Sequence, residues 1–405
     1  MMTSSKIGGY SAITLYLMLC ALLAPLSASA EDVEMIKGKP YSVTPGDEPG
    51  TFVCKWGDET VQWKPKPWHP IDLLEVGPII YSRWTQPGLP FPWEKTLAER
   101  DAEFDGREVH DRSYTALYFN EFGENYITDW NIDLTSPDGT ERNKTLHEWM
   151  LAYRINTDGL PKSLIGKVRA RYMFTFVAPN DFRGLGISTT IYYGEKFNDE
   201  FLYTPAARRV RRLPQAARQD IIPGTIARWE DFPQVKPFPD IQYNIVGYEL
   251  YAGRPDNEIG HRVGEDRTHG EKVNTGIDGV CEPSYVLEIV PDSDSYWYAK
   301  QRRIIGIKTG SSWYEEVFNS KGEVTRTRSN RRAIAHSDSR LQNANEQLED
   351  WQLIWSGEHF YEPQSGFSMS WYMNNFWFNQ KSMPRDVVNV DNLSKEPVRK
   401  ILFWE

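Results

Sequence analysis

Cysteine and recognisable catalytic motifs are both scarce in this chain. Only three of its 405 residues are cysteine, and no two of them form a CxxC pair. The sequence also has no HExxH motif, no glycine-rich phosphate loop and no GxSxG nucleophile elbow. These absences argue against the common zinc-peptidase, nucleotide-binding and α/β-hydrolase classes. We therefore predict no cofactor, no metal and no catalytic residue.

Basic charge is in short supply as well. The chain has 46 lysines and arginines against 56 acidic residues, so its formal net charge is −10. Nonspecific binding to nucleic acid depends on a basic surface that neutralises phosphates. Nucleic acid is therefore excluded as an expected partner.

The sequence offers a single apolar run long enough to suggest targeting. Lys6 precedes the run from Ala12 to Leu23, and Ala28-Ser29-Ala30 follows just before Glu31. This layout is typical of a cleaved secretory signal, and the run is shorter than the roughly 20 apolar residues of a spanning helix. We predict cleavage after residue 30 and an exported protein; the alternative is an uncleaved N-terminal anchor.

Two cysteines follow the predicted signal, Cys54 and Cys281. In an oxidising compartment they can form a disulfide. Spacing alone does not place their Cα atoms close together, so two separate buried thiols remain the alternative.

Neither the histidines nor the adjacent acids form a convincing reactive set. The nine residues from His261 to His269 hold two histidines and two acids, but the spacing fits no standard metal site and indicates an exposed loop. Glu315 and Glu316 are neighbours on a predicted strand. Adjacent strand residues face opposite ways, so these two carboxylates cannot share a site.

Aromatic residues are abundant: 15 Trp, 21 Tyr and 18 Phe make up 13% of the chain. Large flat side chains suit pleated sheets and the walls of apolar pockets. A β-rich core accounts for them without a ligand, so composition leaves both interpretations open.

The chain divides into three predicted parts. Residues 1–30 are the signal, residues 31–165 are a Pro/Trp-rich arm followed by a mixed region, and residues 166–405 are an antiparallel β domain. The first part of the arm, to about residue 100, is expected to be extended or looped because proline removes ladder donors. Residues 145–155 are expected to form a short helix.

Alternation with period two begins near residue 167. Tyr172, Phe174 and Phe176 share one face of a predicted strand over 167–177. A turn over 179–184, a second strand to 193 and a third over 200–213, interrupted at Pro205, follow.

Further strands are predicted over 285–290, 302–308, 312–318 and 323–328, and in the aromatic-rich stretch after residue 351. The last two numbered strands are joined by a hairpin loop at 319–322. No strand–helix–strand rhythm occurs, so the fold class is mainly β with a few helices, arranged as one large curved antiparallel sheet or open barrel. A β-sandwich is the competing layout.

One basic cluster stands out in this acidic chain. It comprises Arg208, Arg209, Arg211 and Arg212. On a strand these side chains alternate between two faces, which excludes a central strand covered on both sides. The pattern fits a sheet rim, or a strand with one face lining a wet cavity. The simpler role is a solvated edge that resists strand addition. The functional role is recognition of an anionic head group or an acidic partner surface, because arginine matches phosphate and carboxylate.

Two motifs give the chain a family resemblance. The first is the turn Pro179-Asn-Asp-Phe-Arg-Gly184, and the second is the run Tyr203-Thr-Pro-Ala-Ala-Arg-Arg-Val-Arg-Arg212. The second motif is continued by Gln219-Asp220, Gly224 and Asp231-Phe232. Both motifs resemble the domain-of-unknown-function 1329 family. These are exported bacterial proteins similar to outer-membrane lipoprotein-sorting proteins. The resemblance is good over about 170–235 and looser to about 330.

The resemblance implies a lipoprotein-carrier-like fold, an incomplete β-barrel whose concave side is closed by helices and holds an acyl chain or another hydrophobe. It also implies a Gram-negative periplasm and service to an outer-membrane partner or an export pump of the resistance–nodulation–division type. It provides no catalytic residues. The expected function is a non-catalytic carrier of a lipid-like molecule, with Tyr172, Phe174, Phe176 and the four arginines as candidate binding residues. The alternatives are an envelope interaction module and a hydrolase acting on a hydrophobic substrate.

Overall fold

Strands dominate the part of the chain that the structure, a computed structural model, describes. That part comprises residues 34–48, 51–63, 104–118, 124–152, 168–192, 196–231, 238–252, 281–334, 341–343 and 353–378. The chain divides into two units after Glu34, and apart from Glu34 itself the architecture that follows is that of the second unit, Met35–Glu405. The predicted signal lies outside the described residues. No helix in the described ranges is long and apolar enough to cross a bilayer.

A small antiparallel sheet occupies residues 34–63. Its strands, in spatial order, are β1 (Glu34–Ile36), β2 (Lys39–Pro45), β3 (Phe52–Trp56) and β4 (Glu59–Trp63). The expectation of an extended arm was wrong here. In β3, Phe52, Cys54 and Trp56 are buried and alternate with more exposed residues, so a period-two pattern outweighs the nearby prolines. Residues 64–100, which hold most of those prolines, lie outside the described ranges.

One helix, α1 (Gly106–Tyr118), follows. Asp105 caps its N-terminus by accepting a hydrogen bond from the amide of Glu108 at 2.8 Å. Gly106 packs so closely on the carbonyl of Tyr243 that a Cβ there would overlap it. This contact brings the start of the helix against the large sheet.

The large sheet contains fourteen strands in the described ranges. Their bounds are β5 (Glu124–Thr135), β6 (Glu141–Ala152), β7 (Val168–Ala178), β8 (Gly186–Tyr192), β9 (Asp199–Thr204), β10 (Arg209–Arg212), β11 (Ile241–Tyr251), β12 (Glu282–Pro291), β13 (Lys300–Gly306), β14 (Ser312–Phe318), β15 (Val324–Ile334), β16 (Leu341–Asn343), β17 (Leu353–Tyr361) and β18 (Ser368–Phe378).

The sheet is open in the part of the chain described. Its order is β10-β9-β8-β7-β6-β5-β18-β17-β15-β14-β13-β12-β11, with β16 added beside β18. Every pair is antiparallel except β16 with β18. The prediction of a mainly β fold built on one large antiparallel sheet is confirmed.

Two local predictions were wrong in detail. Residues 145–155 were expected to be helical, but most of them belong to β6, which pairs with β5 and β7; pairing on both sides outweighs a modest helical preference. The predicted single strand over 200–213 is a hairpin, β9 and β10, with a turn at 205–208. Pro205 is the first residue of that turn, and its carbonyl accepts a hydrogen bond from the amide of Arg208 at 3.1 Å.

A disulfide joins Cys54 in β3 to Cys281, which precedes β12. Both residues are fully buried, and their Cα atoms are 6.2 Å apart. The hydroxyl of Tyr41 donates to the carbonyl of Cys281 at 2.6 Å. The small sheet thus shares one apolar cluster with α1 and β11 to β14.

Candidate functional site

One face of the large sheet carries an aromatic core cluster and a row of buried ion pairs; we call it the inner face. The register places Phe174, Ile187, Leu202 and Arg211 directly opposite one another on β7, β8, β9 and β10. Phe174 is fully buried, Leu202 is half-buried and Arg211 is exposed. Along the inner face the side chains therefore change from buried and apolar at the centre to exposed and charged at the edge.

The apolar centre is a second core cluster, separate from the one beneath the small sheet. Its sheet residues include Trp130 and Trp371, which meet edge to face with ring centroids 5.7 Å apart. Phe174 and Phe176 meet edge to face at 6.0 Å. Such pairs add to the gain from burial alone, so this face is a large, rigid aromatic surface.

Residues 213–231 lie over this aromatic surface; we call them the covering segment. The segment holds only two short 3-10 turns, Gln215–Gln219 and Trp229–Asp231. Ile222, Ile226 and Trp229 pack into the cluster, and the Trp229 ring stacks on Phe174 with centroids 6.3 Å apart. The apolar centre is thus covered by an irregular piece of chain.

Polar contacts fix the covering segment to the sheet. The guanidinium of Arg326 on β15 donates two hydrogen bonds to the Asp231 carboxylate, each 2.7 Å long, and both side chains are 2% exposed. Burial favours the neutral acid, but the charges of Arg326 and Arg328 outweigh it and lower the pKa of Asp231. Lys144 of β6 donates to the carbonyl of Gly224 at 2.5 Å.

A second acid of the segment, Glu230, occupies a contrasting environment. Its carboxylate accepts hydrogen bonds from the Tyr296 hydroxyl and the Trp297 indole. Arg218 lies 3.7 Å away, too far for a direct hydrogen bond. Burial dominates and raises the pKa of Glu230 to about 7, despite the hydrogen bonds and Arg218, which act the other way. The pKa values of two neighbouring acids are therefore shifted in opposite directions.

Ionic pairs continue along the inner face between the two apolar clusters. Glu315 lies opposite Arg303 on one side and Arg328 on the other. Arg303 and Glu315 form a buried ion pair, and Arg303 also lies 3.0 Å from Nδ1 of His110 on α1. Arg328 forms its ion pair with Glu358 at 2.5 Å. Buried charges need such partners. These ion pairs therefore form a polar boundary between the aromatic cluster and the apolar cluster beneath the small sheet.

The structure brings some of the sequence-predicted residues together and leaves others apart. Phe174 and Phe176 both belong to the aromatic surface. Tyr172 lies on the same strand, opposite Thr189, but its side chain lies outside the described residues. The four arginines lie away from this centre, with Arg208 in the turn before β10 and the other three on β10 itself.

The histidines and acids weighed in the sequence analysis are only partly visible. The stretch from His261 to His269 falls outside the described residues. In the described ranges no group of three His, Cys, Asp or Glu side chains forms a metal-ligand set. Glu315 is buried while its neighbour Glu316 is half-buried, and each pairs with its own arginine, as opposite faces require.

One serine–histidine contact bears on the hydrolase alternative. Nδ1 of His359 lies 3.0 Å from the Ser370 hydroxyl, and both residues are buried. They alternate along their strands with Phe360 and Met369, so they face the side of the sheet opposite the aromatic surface. A hydrolase that used this pair would not act on a molecule bound at the inner face.

Sequence reasoning missed the residues that hold the covering segment. Asp231 entered only through the family resemblance, and Arg326 was not singled out. A lone Asp and a lone Arg separated by 95 positions leave no signal in a single sequence. The one available hint was the alternation of Arg326 and Arg328 along a strand that was predicted from residue 323 to 328.

Part of the chain matches a known protein family. Residues 80–247 match the family model described as protein of unknown function (DUF1329). No match is found among curated protein sequences.

Solved structures show distant similarity. A putative outer-membrane lipoprotein-sorting protein domain from Vibrio parahaemolyticus is 16% identical, with a TM-score of 0.48 over 72% of this chain and 98% of the other. A DUF1329 family protein from Desulfovibrio piger is 12% identical, with a TM-score of 0.47 over 72% and 100%. A LolA superfamily protein from Nitrosomonas europaea is 12% identical, with a TM-score of 0.41 over 71% and 99%. The resemblance of this chain to the DUF1329 family is confirmed by the match over residues 80–247.

Proposed function

We propose that this protein is a non-catalytic binding protein that carries a lipid-like molecule on the inner face of its open sheet. The observation that carries the proposal is the aromatic surface around Phe174, which in the described ranges is covered by an irregular segment and not by a second sheet or a long helix. The sheet would act as the wall of an incomplete barrel. The apolar part of the ligand would replace the contacts that Ile222, Ile226 and Trp229 now make.

The way the covering segment is held supports this proposal. Its polar anchors are side chains of the sheet, Arg326 on Asp231 and Lys144 on the carbonyl of Gly224, while Ile222, Ile226 and Trp229 pack their side chains into the aromatic cluster. Loops with few backbone bonds to a sheet open at lower free energy than the sheet itself. A ligand that supplies comparable apolar area can offset the loss of this packing, at roughly 25 cal/mol per Å².

The same proposal includes the cellular compartment in which the protein acts. The predicted secretory signal, the resemblance to a family of exported proteins and the proposed lipid-like ligand together favour a Gram-negative periplasm. A carrier in that compartment would receive or deliver its ligand at the outer membrane or at an export pump of the resistance–nodulation–division type.

Two variants on β9 test the proposal. Leu202 faces the inner face and packs against the aromatic cluster, whereas its neighbour Phe201 faces the other way; both are half-buried. We expect a fluorescent fatty-acid probe to bind the wild-type protein, Leu202→Glu to weaken binding at least tenfold, and Phe201→Glu to leave it unchanged. Circular dichroism of all three proteins checks the fold.

Two outcomes would overturn the proposal. The first is a wild-type protein, freed of co-purifying molecules, that does not take up the probe. The second is equal loss of binding in the Leu202→Glu and Phe201→Glu variants with both proteins folded, because binding would then not depend on the inner face.

A further inference from the structure

We propose that strand β10 is a docking edge to which an extended acidic segment of a partner protein adds as a further strand. β10 lies at one end of the large sheet and pairs only with β9 among the described residues. All four of its residues are exposed, and Val210 is among the exposed large hydrophobics of the protein. The proposal does not depend on the ligand proposed for the inner face.

The backbone of β10 offers a defined set of free hydrogen-bonding groups. The amide of Leu213, just after β10, donates to the carbonyl of Glu200 on β9 at 2.8 Å. Hydrogen-bonded and non-hydrogen-bonded pairs alternate along an antiparallel ladder. Because Leu213 bonds to β9, this alternation means that Arg211 and Arg209 also bond to β9. The N–H and C=O groups of Val210 and Arg212 then point away from β9. Those groups are the ones that an added strand would bind.

The side chains of β10 indicate what that strand should carry. Arg209 and Arg211 lie on the same face, opposite Thr204 and Leu202, and neither forms an ion pair within the described part of the chain. Arg212 faces the other way and is bound to Asp199. Acidic residues at alternate positions of an incoming strand would lie beside Arg209 and Arg211, the geometry in which opposite charges stabilise a sheet.

The overall charge favours a peptide over an anionic membrane. The chain carries a net charge of −10, so a large negative surface would be repelled by most of this protein. A single extended acidic segment meets only the edge, where the exposed arginines are concentrated. Strand addition also uses the outward backbone groups, which a lipid surface would leave unbound.

A capped, fluorescein-labelled peptide of alternating glutamate and valine tests the proposal with the full-length protein. We expect binding detectable by anisotropy that falls at least tenfold in Arg209→Glu/Arg211→Glu. The matched control Lys321→Glu, which changes an exposed charge in the 319–322 hairpin turn, should bind the peptide as wild type does. A lysine–valine peptide should not bind.

Val210→Pro separates strand addition from simple charge attraction. It removes one outward N–H while keeping every arginine and every bond to β9, and proline is tolerated on an edge whose N–H faces solvent. We expect Val210→Pro also to weaken binding of the glutamate–valine peptide at least tenfold. In the wild-type protein, hydrogen exchange at the amides of Val210 and Arg212 should slow when the peptide binds, which provides a readout that needs no variant.

Three results would overturn the proposal. One is unchanged peptide affinity in a folded Val210→Pro protein, and another is no protection of the two amides at saturating peptide. The third is binding to vesicles that contain phosphatidylglycerol, lost in Arg209→Glu/Arg211→Glu, with no binding of the acidic peptide; that result would assign the edge to anionic lipid.

Discussion

Arg326 and Asp231, which are 95 positions apart in the sequence, form a bidentate ion pair with both N···O distances at 2.7 Å. The pair is 2% exposed on each side. It fixes the end of the covering segment to β15, and therefore fixes where the apolar residues of that segment meet the sheet. The guanidinium also lies 4.6 Å from the centre of the Trp297 ring, which Arg228 approaches to 4.2 Å.

Breaking this pair on one side should be costly. Asp231→Ala leaves the Arg326 charge buried without its carboxylate, and we expect the free energy of unfolding to fall by about 3–5 kcal/mol. Denaturant unfolding measures the loss. The exposed acid Asp294 is the control, and Asp294→Ala should change stability by less than about 0.5 kcal/mol. A loss below about 1 kcal/mol in Asp231→Ala would contradict a structural role for the pair.

The disulfide between Cys54 and Cys281 should contribute strongly to stability. It closes a loop of 227 residues, for which the chain-entropy model gives about 5 kcal/mol. We expect Cys54→Ala/Cys281→Ala to lower the free energy of unfolding by several kcal/mol. We also expect no reaction of either cysteine with a thiol reagent in denaturant without reductant. Two reactive thiols in the denatured, unreduced protein would contradict the bridge.

Gly306 should tolerate no side chain. A Cβ at this position would overlap the Glu282 carboxylate, which accepts hydrogen bonds from Thr309 and the Trp313 indole at 2.6 and 2.8 Å. Gly306→Ala would displace this buried acid from its donors, and we expect a loss above about 2 kcal/mol in denaturant unfolding. Gly247, with nothing within 4 Å of its Cβ position, is the matched control. Equal effects of Gly306→Ala and Gly247→Ala would refute the account of this contact.

Glu230 should make stability depend on pH near neutrality. Burial raises its pKa from 4.5 to about 7, so the folded protein binds this proton more tightly than the unfolded chain does. The contribution of Glu230 to the free energy of unfolding should therefore be greatest below about pH 4.5 and fall as pH rises to about 7, by at most about 3 kcal/mol. In Glu230→Gln the side chain stays neutral, so the free energy of unfolding should change less with pH over this range than it does in the wild type.

Urea unfolding at several pH values between about 5 and 7.5 measures that slope. Glu200, whose pKa burial also raises to about 7, contributes a second component that both proteins keep. Asp294→Asn should have the slope of the wild type. If the slope of Glu230→Gln matched that of the wild type, Glu230 would have to ionise normally in the folded protein.

The sequence predicted the strands that have a clear period of two and short turns. β7, β8 and the β14–β15 hairpin lie where alternation and the turns at 179–184 and 319–322 place them. β6 was mistaken for a helix because its apolar residues Leu146, Trp149 and Met150 also fit a helical stripe. Pairing with β5 on one side and β7 on the other places β6 inside the sheet. The pairing of β5 with β18 joins distant parts of the sequence, and no local pattern encodes it.

The site was less accessible to sequence reasoning than the fold. Phe174 and Phe176 were expected on one face of a half-buried strand because burial leaves a period-two pattern, and both are buried there. Arg326 and Asp231 were not, because an ion pair between distant segments depends on how those segments cross. The arginines of β10 were correctly expected at a sheet rim, since charge on both faces of a strand is incompatible with burial.

The central claim is that the inner face binds a lipid-like molecule, and native mass spectrometry tests it most directly. The protein would be purified from the periplasm of a Gram-negative host without detergent and measured before and after organic extraction. We predict a discrete additional mass in the native spectrum that disappears on denaturation and is recovered as a lipid-like species in the extract. A single ligand-free mass, with no uptake of fatty-acid or lipid probes by the same preparation, would contradict the claim.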